Sequence, residues 1–200
     1  MGAAAACAGP AGCGAHIVPP ELSAADEPAV VVLTDYGRHS SLILPRDDGT
    51  AVEYAYGQLG WYALDRRVWW KTPFVTLLPN SGALGTRTLP APEVGGLPPP
   101  EPALQHAYTL AVPREAVGRL LRRLDARFAA GTGPVIDNPG TGLLFVRDGR
   151  SYWLLNNCNT EVAGWLRELG CRVDGPSVWA KFSFTPAPAP AAWRREPAAP

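Results

Sequence analysis

No run of about 18 strongly apolar residues occurs in this 200-residue chain, so no segment is suited to cross a bilayer as a helix. Neither sign of charge is in excess: 18 Lys and Arg face 18 Asp and Glu, leaving a net charge of +0 at pH 7. Without a basic surplus the chain lacks the electrostatic footprint of a phosphate-backbone binder, and a nucleic-acid partner is not expected. Lysine is nearly missing, with only Lys71 and Lys181. Cysteine is scarce as well. Cys7, Cys13, Cys158 and Cys171 form no CxxC pair, and His16, His39 and His106 are scattered. That spacing excludes the usual zinc frameworks, and neither a metal nor a cofactor is expected. A Cys158–Cys171 disulfide stays open, because a helix and its return could bring the two together.

Glycine (21) and proline (22) are abundant without a period, which excludes collagen and marks a loop-rich fold. Hydrophobic residues make up 46% of the chain, enough for one core of ordinary size. A single domain is expected over residues 28–185. Residues 1–27 read as a flexible start, and the Pro/Ala-rich stretch 186–200 as a disordered tail. Small residues precede Cys7 and Cys13, as a bacterial lipoprotein cleavage site requires, although a basic segment and a Leu-rich segment are missing. The start is therefore a disordered terminus or a truncated export signal with a lipid anchor. The corresponding locations are the cytoplasm or the cell envelope.

Between these ends, AVVVLTDYG (29–37) reads as a buried strand, SSLILP (40–45) as its continuation or a second strand, and AVEYAYG (51–57) as the strand returning after the turn at Asp47–Gly49. WYALDRRVWWKTP (61–73) is expected to be partly helical, and FVTLLP (74–79) and TRTLPAP (86–92) extended. GGLPPPEP (95–102) reads as a stiff linker or long loop. QHAYTLAVP (105–113) reads as a strand. A helix then begins near Pro113, with Val117, Leu120, Leu121, Leu124 and Phe128 on one apolar face. Arg119, Arg122, Arg123 and Arg127 occupy the rest of its surface, as an ordinary solvated face rather than an anion-binding stripe. Residues 131–142 are expected to form a loop. Residues 143–155 read as a hairpin turning at Asp148-Gly149. NNCNTEVAGWLRELG (156–170) is a helix capped by Asn157 or Asn159 and ended by Gly170.

That last helix places Cys158 at a strand–helix junction. A thiolate is the nucleophilic form of cysteine, and a helix N-terminus favours it through unpaired N–H groups and a partial positive charge. A nearby imidazole can take the proton, and His39, on a strand after Gly37, is the candidate. Most cysteines in such positions are packed core residues, so the pattern alone carries little weight.

GRHSSLILP (37–45) and CNTEVAGWLRELG (158–170) resemble the circularly permuted papain-like superfamily, with VEYAYGQLGWYAL (52–64) similar between them. Lecithin:retinol acyltransferase-like proteins and permuted relatives of the NlpC cell-wall peptidases belong to that group. A bacterial family of uncharacterised envelope proteins is the closer likeness. The similarity spans roughly residues 30–185. It implies an α+β fold in which an antiparallel sheet is packed with helices, the His strand coming first and the Cys helix last. It also implies Cys158 as nucleophile, His39 as general base and a third polar residue orienting the imidazole. Glu53 is the best match for that third role, and equally reads as an ordinary solvent-facing strand residue. Asp35 is a weaker candidate. Tyr36 or an Asn near Cys158 could help the Cys158 N–H hold an oxyanion.

The leading expectation is a cysteine-dependent hydrolase or acyltransferase acting as a monomer on an amide or ester, with a cell-wall peptide or an acyl lipid as substrate. The rival is a non-catalytic envelope binding or interaction module on the same fold, which a buried thiol walled off from His39 would favour. A redox protein using Cys158 and Cys171 ranks last. Trp61, Tyr62, Trp69, Trp70 and Trp153 line a ligand groove or pack the core. His106 is taken as structural.

Overall fold

Residues 40–44 and 51–57 are buried at every position rather than at alternate ones, polar Ser40, Ser41 and Glu53 included, the pattern of strands covered on both faces. The computed structural model describes residues 14–66, 77–89 and 104–187. In it the described residues form strands β1 (Ala15–Val18), β2 (Pro28–Asp35), β3 (Ser40–Pro45), β4 (Ala51–Gln58), β5 (Asn80–Leu89), β6 (His106–Pro113), β7 (Thr132–Asn138), β8 (Leu143–Tyr152), β9 (Arg172–Asp174) and β10 (Phe182–Phe184). Two α-helices, α1 (Arg114–Ala129) and α2 (Cys158–Glu168), and a π-helical turn at Leu59–Ala63 complete the set. The architecture is mixed α+β and mostly antiparallel.

The main sheet has seven strands in the order β6-β2-β3-β4-β5-β8-β7, every neighbouring pair antiparallel. One face carries Leu42, Leu44, Val52, Tyr54, Tyr56 and Leu84 into a core shared with Val117, Leu120 and Leu124 of α1 and Val162, Trp165 and Leu166 of α2. The other face carries Ala55, Ala83 and Phe145 under Leu59 and Tyr62, and beside them Val32, Ile43, Ala51 and Leu89. Among the described residues Trp165 is the bulkiest fully buried side chain. A fully buried side chain of leucine size contributes about 1.5–3 kcal/mol, so this two-sided burial fixes the register of β3 and β4.

Several expectations change. Residues 1–27 were expected to be flexible, but Ala15–Val18 is a strand with Ala15 and Ile17 wholly buried, paired with β9 and β10. Four residues between Gly14 and Pro19 carry too weak a signal to read as a strand without those distant partners. The stretch 131–142 contains β7 rather than being loop throughout. The hairpin expected at Asp148-Gly149 is instead one continuous strand, β8. Asp148 spends its carboxylate on the backbone N–H of Arg150 (2.8 Å) and on the Arg127 guanidinium rather than on a turn. Residues 59–63 are the helical part of the aromatic segment, and 80–89 form one long strand. The expectations for 67–76, for the linker 95–102, for Cys7 and Cys13 and for the tail beyond 187 lie outside the described residues.

Arg127 also departs from the solvated stripe. Its guanidinium bonds both oxygens of Asp148 (2.7 and 3.0 Å) and one of Glu161 (2.9 Å), and it lies 5.2 Å from the centre of the Tyr56 ring. Arg150 pairs with the other Glu161 oxygen. Asp148 and Glu161 are both buried. Removing one member of a buried ionic cluster strands the others without solvent, so Arg127→Met is expected to lower stability by about 3–5 kcal/mol. Urea unfolding of the two proteins measures it, and Arg119→Met on the exposed part of α1 should change little.

Candidate active site around Cys158

β8 ends at Tyr152, the chain turns through a bridge between Trp153 and Asn156, and α2 begins at Cys158. Asn157 caps it. Its side-chain oxygen accepts from the N–H of Asn159 (2.9 Å) and of Thr160 (3.1 Å), while the Thr160 hydroxyl accepts from the Asn157 N–H (2.8 Å). This reciprocal box satisfies donors a helix start otherwise leaves open. The amide of Asn159 joins three segments: Oδ1 accepts from the Ser40 hydroxyl (2.8 Å) and Nδ2 donates to the Val178 carbonyl (3.1 Å). Asn157 Nδ2 donates to the same carbonyl (3.1 Å). The start of α2 is thereby tied to the beginning of β3 and to the segment before β10.

The Cys158 thiol lies 3.8 Å from the Arg38 carbonyl and 3.7 Å from Asn159 Oδ1. It is only 3% exposed. Burial pushes the thiol up to about 11, and the N–H groups of Ser40, Asn159 and Cys158 with the Tyr152 hydroxyl offset only part of this. The helix start alone would favour the thiolate; here desolvation outweighs it, and the resting group is a neutral thiol. Cys158 and Cys171 are both free and buried, so no disulfide joins them.

His39 sits beside the thiol in the backbone but not in its side chain. It precedes β3 by one residue, and its ring packs on Tyr62 with centroids 4.3 Å apart. Tyr62 stands over Gly57, where any side chain would collide with it, and meets Phe145 edge-on at 5.1 Å. Tyr62 and Phe145 belong to the sheet face opposite α2. Successive strand residues alternate in direction. Ser40 therefore meets the Cys helix, while His39 turns to the other face. No hydrogen bond joins the thiol to the imidazole, and among the described residues the buried His39 Nε2 has no partner. Burial drives the imidazole down to about 3.

Glu53 does not meet His39 either. It is on the same face as His39, but it stands opposite Ile43 and Arg87, whereas Ser41 is already opposite Ala55. Extended by that register, His39 lies four strand positions beyond Glu53, roughly 13 Å. Its carboxylate is 1% exposed and is spent on Arg87 Nε (2.7 Å), the Tyr36 hydroxyl (3.3 Å) and the Ser41 hydroxyl. Neither expected role, orienting the imidazole or facing solvent, matches this placement. Asp35 is buried too and accepts from the Gly37 N–H (2.7 Å). An Asn near Cys158 was expected at the site and Asn159 is one, but sequence reasoning missed Tyr152 and Ser40 as neighbours of the thiol. The one signal for Ser40 was its place next to His39, and nothing in the sequence pointed to Tyr152.

Trp61 and Trp153 are half-buried, and Trp69 and Trp70 lie outside the described residues. Among the described residues no group of His, Cys, Asp and Glu could hold a metal ion, and no helix is long and apolar enough to cross a membrane. Comparison of the chain with protein-family models, curated proteins and solved structures finds no match.

The depressed imidazole has a consequence for acid stability. With a folded value near 3 and an unfolded value near the ordinary 6.5, the unfolded chain binds the extra proton across that window. Stability therefore falls as pH drops from about 6.5 towards 3, with a His39 share of at most about 1.4 kcal/mol per pH unit. His39→Gln is expected to flatten that part of the slope. Urea unfolding at pH 7, 5.5 and 4 checks it, and identical slopes in the two proteins would refute it.

Proposed function

We propose that this chain is a cysteine-dependent hydrolase or acyltransferase of the permuted papain-like kind, with Cys158 as nucleophile and His39 as its base. The observation that carries the reading is the setting of the Cys158 sulfur. It occupies the first position of a capped helix, with three backbone N–H groups and the Tyr152 hydroxyl as donors around it. Such donors stabilise a developing negative charge on sulfur or on a substrate oxygen. In the reaction the sulfur attacks an amide or ester carbonyl and its proton passes to His39. The amine or alcohol leaves with that proton, and the acyl–sulfur bond is then cleaved by water or another acceptor. Catalytic contacts often tighten only when substrate is bound. Here the segment 36–39 would have to turn, bringing the unpartnered Nε2 from Tyr62 to the thiol. A cell-wall peptide or an acyl lipid in the envelope is the substrate class this reading carries.

A second reading, a non-catalytic envelope binding or interaction module on the same fold, is favoured by one specific observation. The thiol is shielded, and the imidazole lies across the sheet from it. Iodoacetamide labelling separates the two, with Cys158→Ser giving the Cys171 background. For the enzyme, Cys158 labels at neutral pH about tenfold or more faster than an ordinary thiol of its burial, and His39→Ala removes that advantage. For the module, labelling rises only as pH climbs towards about 11 and is the same with and without His39.

A further inference from the structure

Apolar side chains left in solvent gather at one end of the main sheet. Asn157 Nδ2 donates to the carbonyls of both Leu154 (3.0 Å) and Val178 (3.1 Å), so one nitrogen holds the turn before α2 against the segment before β10. The residue after each carbonyl stands in solvent: Leu155 is 60% exposed and Trp179 is 61% exposed. Leu77 and Leu78, also exposed, enter β5 at the same end. Asn80 there pairs with Tyr152, where β8 runs into that turn, and its amide donates to the Leu78 carbonyl (2.6 Å). Exposed Val30, Val135 and Leu144 lie away from this end, and Leu64 follows the turn packed on the other face. A single exposed leucine is ordinary, but a group on neighbouring segments marks a surface that meets something apolar.

Charge is segregated along the same axis, although the chain as a whole is neutral. Segments 36–40, 77–82, 150–157 and 175–181 make up this end, and their charged residues are Arg38, Arg150 and Lys181, with no carboxylate. Arg150 pairs with the buried Glu161. Arg38 and Lys181 are exposed and form no ion pair among the described residues. The Arg38 carbonyl lies 3.8 Å from the Cys158 sulfur, and the Lys181 N–H donates to the Trp179 carbonyl (2.8 Å), which places both cations among the apolar tips. At the opposite end, segments 24–28, 46–50 and 113–116 carry Asp26, Glu27, Asp47, Asp48 and Glu115 against Arg46 and Arg114. Protruding Trp and Leu side chains beside unpaired cations match a layer that is apolar just beneath anionic headgroups. The tips stand on separate segments rather than on one helix face or strand edge, a layout that a fluid layer accommodates without matching its shape. We propose that this end docks on an anionic membrane surface. Leu77, Leu78, Leu155 and Trp179 enter the headgroup layer, and Arg38 and Lys181 meet lipid phosphates. Docking does not depend on Cys158 being a nucleophile. Since α2 begins at this end, Cys158 is carried to the lipid side of the molecule.

Co-sedimentation of the whole chain with lipid vesicles tests this. One set is phosphatidylcholine alone, and the other is equal parts of phosphatidylcholine and phosphatidylglycerol. The chain should sediment with the mixed vesicles and far less with phosphatidylcholine, and added salt should weaken the binding. Leu155→Ser combined with Trp179→Ser should lower the partition coefficient about tenfold or more, as loss of two buried apolar side chains requires. Arg38→Gln combined with Lys181→Gln should lower it on the mixed vesicles alone. Val135→Ser, an equally exposed apolar position away from this end, should leave it unchanged. An unaltered urea midpoint shows that each variant is folded. Should the Leu155 and Trp179 pair fail that check, Leu77→Ser with Leu78→Ser takes its place. No binding to the mixed vesicles, or equal binding by the parent and the apolar variants, overturns the proposal. Binding that needs the cations but not the apolar tips points to an acidic protein surface instead and overturns the membrane.

Discussion

Alternation of side chains along β3 and β4 governs everything that can happen around Cys158. Both strands are buried on both faces, so a slip of one residue would exchange Leu42, Leu44, Tyr54 and Tyr56 for Ser41, Ile43, Glu53 and Ala55 beneath the helices. The apolar set under α1 and α2 fixes which parity faces them. Ser40 has that parity, and its hydroxyl reaches Asn159. His39 has the other, and its ring rests on Tyr62. One peptide unit thus separates a residue that touches α2 from one on the opposite side of the sheet. Chain proximity, shown by the 3.8 Å approach of the thiol to the Arg38 carbonyl, coexists with side-chain separation.

Each face also buries its own polar system, and neither includes the imidazole. Beneath the helices, Arg127 and Arg150 hold Asp148 and Glu161. On the far face, Thr34, Ser41 and Glu53 run across three strands to Arg87, whose Nη1 continues to the Thr141 carbonyl (3.2 Å). These groups are matched sign for sign, as buried ionic groups must be if their desolvation is to be tolerated. Glu161 lies in the first turn of α2, where its charge would oppose a thiolate one turn away. Two guanidinium partners offset it, so the start of the helix keeps its donors for the sulfur. Among the described residues three buried polar atoms lack a hydrogen bond: His39 Nε2, the Trp165 indole nitrogen and Glu161 Oε1, the last met by Arg150 as an ion pair.

Much of the fold was legible because its signals are local. The run at 29–35, the apolar face of α1 and the Asn157 cap with Gly170 at the other end of α2 each declare an element within a few residues. What was illegible depends on partners far along the chain. Ala15–Val18 becomes a strand only because 172–174 and 182–184 flank it. Asp148-Gly149 looks like a turn until Arg127, 21 residues away, claims the aspartate. The site divides in the same manner. Cys158 at a helix start was readable from its neighbours, but Glu53 took its role from the resemblance, which carries no register. The five residues between β3 and β4 place it on the same face as His39, four positions too far along.

The energetics of the neutral pair set what activation requires. Raising the thiol from 9.0 to about 11 makes the thiolate costlier by about 3 kcal/mol, and lowering the imidazole from 6.5 to about 3 makes its cation costlier by about 5 kcal/mol. Two unit charges in contact near a protein surface recover only about 4 kcal/mol. A preformed thiolate–imidazolium pair is thus unfavourable in the closed site even if the thiol and the imidazole were brought together. Under the proposed reading, proton transfer would coincide with bond formation to the substrate, when negative charge leaves the sulfur, or with entry of water that relieves the burial of both groups. Turning His39 away from Tyr62 would do the latter for the imidazole at once, because a movement that brought Nε2 to the thiol would take it out of the apolar surroundings that depress it.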